Sequence, residues 1–253
     1  MFHEVMEYYR IPLYILFGIL PSVAWLFYYL KKDLHPEPKR MIIKIFLMGS
    51  VITVPVLLIQ IGLSLALHQL QNGEFFSQHF IILAIVKWFI VIAFTEELLK
   101  YLIVKVNIFD NYALDEPLDI MLYMMVAALG FAAVENILYL FSPLDVSSFD
   151  MLIKTTITIS FIRFVGATLL HALCSGLTGY FIALSFLDPK KKVLLSIGGL
   201  GIATFLHGLY DFSIATLIYP INFLIPSMIL FGLLLFIITA FDKVKKMKSI
   251  CKI

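Results

Sequence analysis

An all-α integral membrane protein, built as a bundle of about seven transmembrane helices, is the fold class that three features of this sequence predict. Of its 253 residues, 61% are hydrophobic and only 14% are charged, whereas a soluble domain carries about 25% charged residues. The apolar residues form long unbroken runs rather than amphipathic stripes, and about 20 such residues cross a hydrocarbon core about 30 Å thick. Lys and Arg gather at alternate ends of the runs, as the positive-inside rule requires of a chain that crosses repeatedly.

The first run, about 12–30, follows an acidic start (His3, Glu4, Glu7) and closes on Lys31-Lys32. It has no small-residue cleavage pattern and is expected to stay as a spanning helix rather than leave as a signal. The charged stretch 31–40, with Pro36 and Pro38, separates it from the second span at 43–67. A polar stretch, 68–79, precedes the third span at 80–104, and acidic residues 110–116 precede the fourth at 118–141. Ser, Pro and Asp mark 142–150; the fifth span is placed at 159–187, with a start allowed anywhere from 152 to 160. Asp188-Pro189-Lys190-Lys191-Lys192 leads into the sixth span, 193–218, and only Tyr219-Pro220 divides it from the seventh, 221–241. With no tandem repeat, low-complexity tract or soluble domain, residues 1–253 are expected to form a single polytopic membrane domain ending in a basic tail, 242–253.

Fourteen Lys and Arg fall on one side of this arrangement and two, Arg10 and Lys154, on the other. The bias predicts an outside N-terminus, a cytoplasmic C-terminus and an odd number of spans. A net charge of +2 gives no reason to expect a nucleic-acid partner; the basic face is expected to meet the anionic lipid bilayer. Cys174 and Cys251 suggest no disulfide framework.

Ionisable residues inside the spans carry the functional signal, because each costs about 2.5–3.5 kcal/mol at mid-bilayer on insertion scales. Glu96, Glu97 and Lys100 lie in span three, Glu135 in span four, Arg163 and His171 in span five, and His207 and Asp211 in span six. Such groups must face one another or a wet cavity, so a polar site is expected where these four spans meet. Lys100 follows Glu96 by four residues and Glu97 by three, so it can pair with either. One glutamate is then held by the lysine and the other faces the cavity, where it can act as a general base. Asp211, one turn from His207, can orient the imidazole or join it as a metal ligand, while Asn136 and Tyr139 put an amide and a phenol beside Glu135. The plain alternatives are a structural Glu–Lys staple, interhelical histidines, and snorkelling of Arg163 and Lys87 to the interface.

Several intramembrane chemistries are tested by motif. HExxH is absent, and Ser175 lies in Cys174-Ser175-Gly176 rather than GxSG. Tyr210-Asp211 is similar to the first aspartate motif of presenilin-type proteases, but the second, GxGD, is missing. Span seven has no lysine for a retinal Schiff base.

The ordered set Glu96-Glu97-x-x-Lys100, Phe131-x-x-x-Glu135-Asn136-x-x-Tyr139, His171 and His207-x-x-x-Asp211, with Pro36-Glu37-Pro38 after the first span, resembles the PrsW family of membrane proteases. That family is distantly related to the type II CAAX prenyl endopeptidases and the Abi proteins. The resemblance covers about residues 33–212 and implies an intramembrane endopeptidase in the bacterial cytoplasmic membrane. Its substrate would be a membrane-anchored protein such as an anti-sigma factor. Carried over, Glu96 and Glu97 are the essential pair, completed by His171 and His207, with Glu135 as a third catalytic carboxylate. A histidine or Asn136 would serve the oxyanion, and Lys100, Tyr139 and Asp211 would support the site. The resemblance leaves two mechanisms open, a metal-free glutamate mechanism and a Zn2+ mechanism using His171, His207 and either Glu97 or Asp211. Two other classes stand beside the protease: a proton- or ion-coupled transporter, for which the expected internal repeats are missing, and a non-catalytic binder of membrane proteins.

Overall fold

Eight helices make up the described residues, 2–33, 35–71, 79–142 and 148–247, of a computed structural model. Helix α1 is Phe2–Leu30 and α2 is Lys39–Gln71. Helix α3, residues 80–108, is composite: an α-helical Phe80–Ile85, a π-helical Val86–Phe94 and an α-helical Thr95–Ile108. Then come α4 (Pro117–Leu140), α5 (Phe149–Val165), α6 (Ala167–Ser185), a 3-10 turn at Pro189–Lys191, α7 (Lys192–Thr216) and α8 (Ile221–Val244). Six helical stretches are long and apolar enough to cross a membrane, with α5 and α6 counted as one stretch of 37 residues. The chain is therefore a multi-pass membrane protein. Helix α3 is long enough as well but carries Lys87, Glu96, Glu97, Lys100 and Lys105 along its length.

Three boundaries differ from expectation, the first being the start of α1, which lies at Phe2 rather than about residue 12. The fifth span begins at Phe149, ahead of the 152–160 window, and is broken at Gly166. A Cβ there would lie 2.7 Å from Tyr210 Oη and 2.8 Å from the Ile162 carbonyl, so only glycine fits between α5 and α7. At the C-terminal end, α8 runs on to Val244, and residues 248–253 of the expected tail lie outside the described residues.

Helix α4 is the axis. Its capping box joins Glu116 and Asp119, whose Oδ2 accepts the Glu116 N–H at 2.6 Å, and Pro117 occupies the first turn. The membrane-spanning window of α4 is 94% buried, against 22% for α1, α2 and α8, so protein rather than lipid covers its apolar surface. Met121, Leu122, Met125 and Leu129 of α4 join Leu173, Leu177 and Ile182 of α6 and Leu233 and Ile237 of α8 in one core. Helix α2 crosses α4 at backbone contact: a Cβ on Gly49 would lie 2.1 Å from the Ala127 carbonyl, and one on Gly130 2.0 Å from that of Phe46. Ser50 seals the crossing by donating to the Gly130 carbonyl at 2.9 Å. Close approach through small residues is how membrane helices gain packing when lipid is as apolar as the partner helix.

The π-helical stretch ends immediately before the glutamate pair. Thr95 Oγ1 donates to the Val91 carbonyl at 2.7 Å within this widened turn, and Phe89 seats on Gly208 of α7, where a Cβ would lie 2.9 Å from its ring. Stretches of this kind concentrate at functional sites because they re-aim the side chains that follow.

Candidate active site

Helix α3 brings Glu96, Glu97 and Lys100 to one cluster, α4 brings Glu135, α6 brings His171, α7 brings His207 and Asp211, and α5 adds Arg163. Lys100, with no exposed surface, is the hub. Its Nζ donates to Glu97 Oε1 at 2.9 Å and Glu96 Oε2 at 3.4 Å, and lies 2.8 Å from His171 Nδ1 and 4.4 Å from the Phe131 ring centroid. A protonated lysine can only donate, so His171 Nδ1 accepts from it and Nε2 carries the proton toward Glu135 Oε2, 2.8 Å away. Glu135 is neutralised in turn by Arg163 Nη2 at 2.6 Å, and the guanidinium lies 3.9 Å from the Tyr139 ring centroid. The Gly166 break lets this chain form, since it separates the helix bearing Arg163 from the one bearing His171.

The two adjacent glutamates have different surroundings. Glu97 is fully buried and holds Lys100, Ser175 Oγ at 3.1 Å and His207 Nδ1 at 3.0 Å. Glu96 takes the Gln60 amide on Oε1 at 3.0 Å, and its Oε2 lies 3.8 Å from His171 Nδ1 and 3.9 Å from His207 Nε2. His207 Nε2 also faces Asp211 Oδ2 at 3.4 Å. The two imidazoles stand edge to face, 4.9 Å between centroids.

A cavity of about 500 Å³ opens onto this cluster, lined by Glu96, Glu135, His171, His207 and Asp211, with Tyr139 and Trp88 at its walls. Glu97 and Asn136 do not line it. Asn136 spends its amide hydrogens on the Gly18 carbonyl and Thr168 Oγ1, both at 3.1 Å, and accepts from Arg163 Nε at 2.5 Å. It ties α1, α4, α5 and α6 together and has no N–H free for an oxyanion. Glu96, His171 and His207 can each point one ligand atom to within 4.8 Å of the others. The carboxylate in this group is thus Glu96, where Glu97 or Asp211 was expected. Two imidazoles and a carboxylate suit a divalent metal with an open position, provided His171 Nδ1 exchanges the Lys100 ammonium for the ion. With both histidines neutral, the four carboxylates (Glu96, Glu97, Glu135, Asp211) exceed the cations (Lys100, Arg163) by two charges, which two protons or one divalent ion neutralise.

Gln60 and Ser175 are the site residues that sequence reasoning missed. Gln60 had a signal, a lone amide inside the apolar run of α2; Ser175 had none beyond its hydroxyl. Pro36-Glu37-Pro38 lies elsewhere, at the opening turn of α4, where Glu37 accepts from Tyr123 Oη beside Asp115 and Asp119. Sixteen residues of helix, roughly 24 Å, separate Asp119 from Glu135. Burial pushes the Glu37 carboxyl above its ordinary 4.5, and Asp33 and Asp115 push the same way, against the lowering effect of hydrogen bonds from Asp119 and Tyr123.

Comparison with known proteins identifies the family of the chain. The model of the PrsW family intramembrane metalloproteases matches residues 37–240. Protease PrsW of Bacillus subtilis (strain 168) is 29% identical over 238 residues, covering 92% of this chain and 94% of that protein. Protease PrsW of Oceanobacillus iheyensis is 32% identical over 197 residues, 77% of this chain and 80% of the relative. That of Clostridioides difficile (strain 630) is 27% identical over 201 residues, 78% and 77%. No solved structure matches.

Proposed function

The chain belongs to the PrsW family of intramembrane metalloproteases, and from that premise we propose that it hydrolyses peptide bonds of membrane-anchored proteins with Glu96 as general base. The observation that carries this reading is the division of labour within the glutamate pair. Glu97 is enclosed and saturated by Lys100, Ser175 and His207, while Glu96 lines the cavity between two histidines.

Glu96 takes a proton from a water molecule as the water oxygen attacks the scissile carbonyl. His207 is held at Nδ1 by Glu97, so its Nε2 is aimed at the same space and, in the imidazolium form that carries a proton on both ring nitrogens, donates to the oxyanion as the carbonyl oxygen gains charge. When the C–N bond breaks, Glu96 returns its proton to the leaving amine. Glu135, backed by Arg163, orients His171; Lys100 offsets the negative charge of the pair. Glu96, His171 and His207 are the residues that would hold a metal; a divalent ion there would supply Lewis acidity and make water a stronger acid, with Glu96 then a ligand rather than the base. The substrate we favour is a membrane-anchored anti-sigma factor in the bacterial cytoplasmic membrane, with the chain's N-terminus outside; the one-sided Lys and Arg distribution supports that orientation.

The test is proteolysis in liposomes against a library of single-span membrane segments. Wild-type protein is expected to cut some of them, and Glu96→Gln to cut none at a comparable rate. Undiminished cleavage by a Glu96→Gln, Glu97→Gln double variant would sink the reading.

A further inference from the structure

A second cavity, of about 700 Å³, adjoins the first and shares Leu57, Gln60 and Ile92 with it. One wall is a face of α2 bearing Ile61, Ser64 and His68; the other is a face of α3 bearing Leu83, Ala84 and Lys87. The two cavities make one groove that starts at Glu96 and runs between these helices toward the ends nearest residues 72–78.

Two features of the groove suit an extended polypeptide. On α2, Gln60, Ser64 and His68 recur every four residues, about 6 Å apart along the helix. A strand repeats every two residues, at about 6.6 Å. These side chains therefore offer a hydrogen-bonding rung to alternate peptide units of a strand lying along α2. A membrane helix must unwind to expose a peptide bond to attack, and its freed N–H and C=O groups then need partners that lipid does not supply. The second feature is Lys87. It is exposed on the groove wall, packs 5.1 Å from the Trp88 ring centroid, and pairs with no carboxylate among the described residues. A lysine in an apolar span is costly unless something meets its charge.

We propose that this groove binds the unwound segment of the membrane-embedded substrate, with Gln60, Ser64 and His68 taking its backbone and Lys87 pairing with an acidic side chain. Lys87 precedes Glu96 by nine residues, most of them π-helical and so rising less than the 1.5 Å of an α-helical residue, which puts them at most about 13 Å apart along the helix. An extended chain covers that distance in about three to four residues, so the recognised Asp or Glu stands about three to four residues from the bond that is cut. The inference rests on the proteolytic reading and adds a preference to it.

The experiment uses the full chain in liposomes and a library of single-span segments randomised on both sides of the cleavable stretch, with cut positions read by mass spectrometry. Wild-type protein is expected to enrich Asp and Glu about three to four residues from the cut, by about two- to five-fold, the range of a partly exposed ion pair. Lys87→Met should lose the enrichment and Lys87→Glu should turn it toward Lys and Arg. An identical cut-site profile from all three proteins overturns the proposal and leaves Lys87 to lipid headgroups. The same segments are also offered to proteins with a photo-crosslinker in place of Ser64. Capture that prefers acidic segments and vanishes with Lys87→Glu supports the groove even if no segment is cut. Capture blind to charge, or none, overturns it whatever the outcome for catalysis.

Discussion

Lys100 touches two carboxylates and an imidazole with no surface exposed, which makes it the most consequential single residue for stability. Removing one partner of a buried ion pair typically costs about 3–5 kcal/mol, because the other charge is stranded. Lys100→Met is therefore expected to lower thermal stability by that order. Adding Glu97→Gln should recover part of the loss, a non-additivity that a double-variant cycle of melting temperatures measures; fully additive losses would show that the pair does not couple. Glu135 acts one step further out, through the His171 ring it holds at 2.8 Å. Loss of such a supporting hydrogen bond commonly costs about 10–100-fold in activity, so Glu135→Gln should slow cleavage by that factor while leaving substrate capture intact. Glu96→Gln, which removes the proposed base, should cost about 10²–10⁴-fold.

At the scale of helices, the site depends on irregularities placed beside it. The π-helical stretch in α3 and the break at Gly166 set the directions of the Glu96–Glu97 pair and of the Arg163–Glu135–His171 chain. Gly166→Ala would drive a methyl group to 2.7 Å from Tyr210 Oη. Overpacking of this kind costs about 1–3 kcal/mol, and here the strain falls next to His171, so activity should drop more steeply than the melting temperature. The linker between α1 and α2 carries a pH dependence of its own. Glu37, which faces Asp33, Asp115, Asp119 and Tyr123, binds its proton more tightly in the folded chain than in the unfolded one. The stability it adds is complete below the ordinary value of 4.5 and fades as pH rises through the elevated folded value. Melting curves of detergent-solubilised protein should fall with rising pH above that ordinary value, and more steeply than those of Glu37→Gln. Parallel curves would remove Glu37 as the cause.

For the whole molecule, the two uncompensated negative charges of the polar cluster are the quantity to resolve. Equilibration with zinc is expected to load one ion per chain through Glu96, His171 and His207 and to raise the melting temperature. At a free concentration of 100 times the dissociation constant the gain is about 2.7 kcal/mol. His171→Ala and His207→Ala should take up none. Wild-type protein that binds no zinc by elemental analysis would assign the neutralisation to protons instead.

How much of this was readable in advance follows from what each scale depends on. The membrane class and most of the helices were legible because hydropathy and loop charge are local properties, and a bilayer admits few alternatives to a helix. So was the meeting of Glu96, Glu97, Lys100, Glu135, His171 and His207, because a buried charge in lipid has to find partners. Which glutamate faces the cavity was not legible, since adjacent residues on a helix differ only in rotation and the neighbours decide which side is wet. Asn136 beside Glu135 read as a site amide, yet it spends its hydrogens between helices. Pro36-Glu37-Pro38 read with the site motifs and lies at the far end of α4. The sequence by itself determined that this chain lives in a membrane and keeps its charges together. Only the tertiary structure decided which of them line the cavity, because that depends on helix rotations set by glycine contacts and a π-helical turn that no local pattern records.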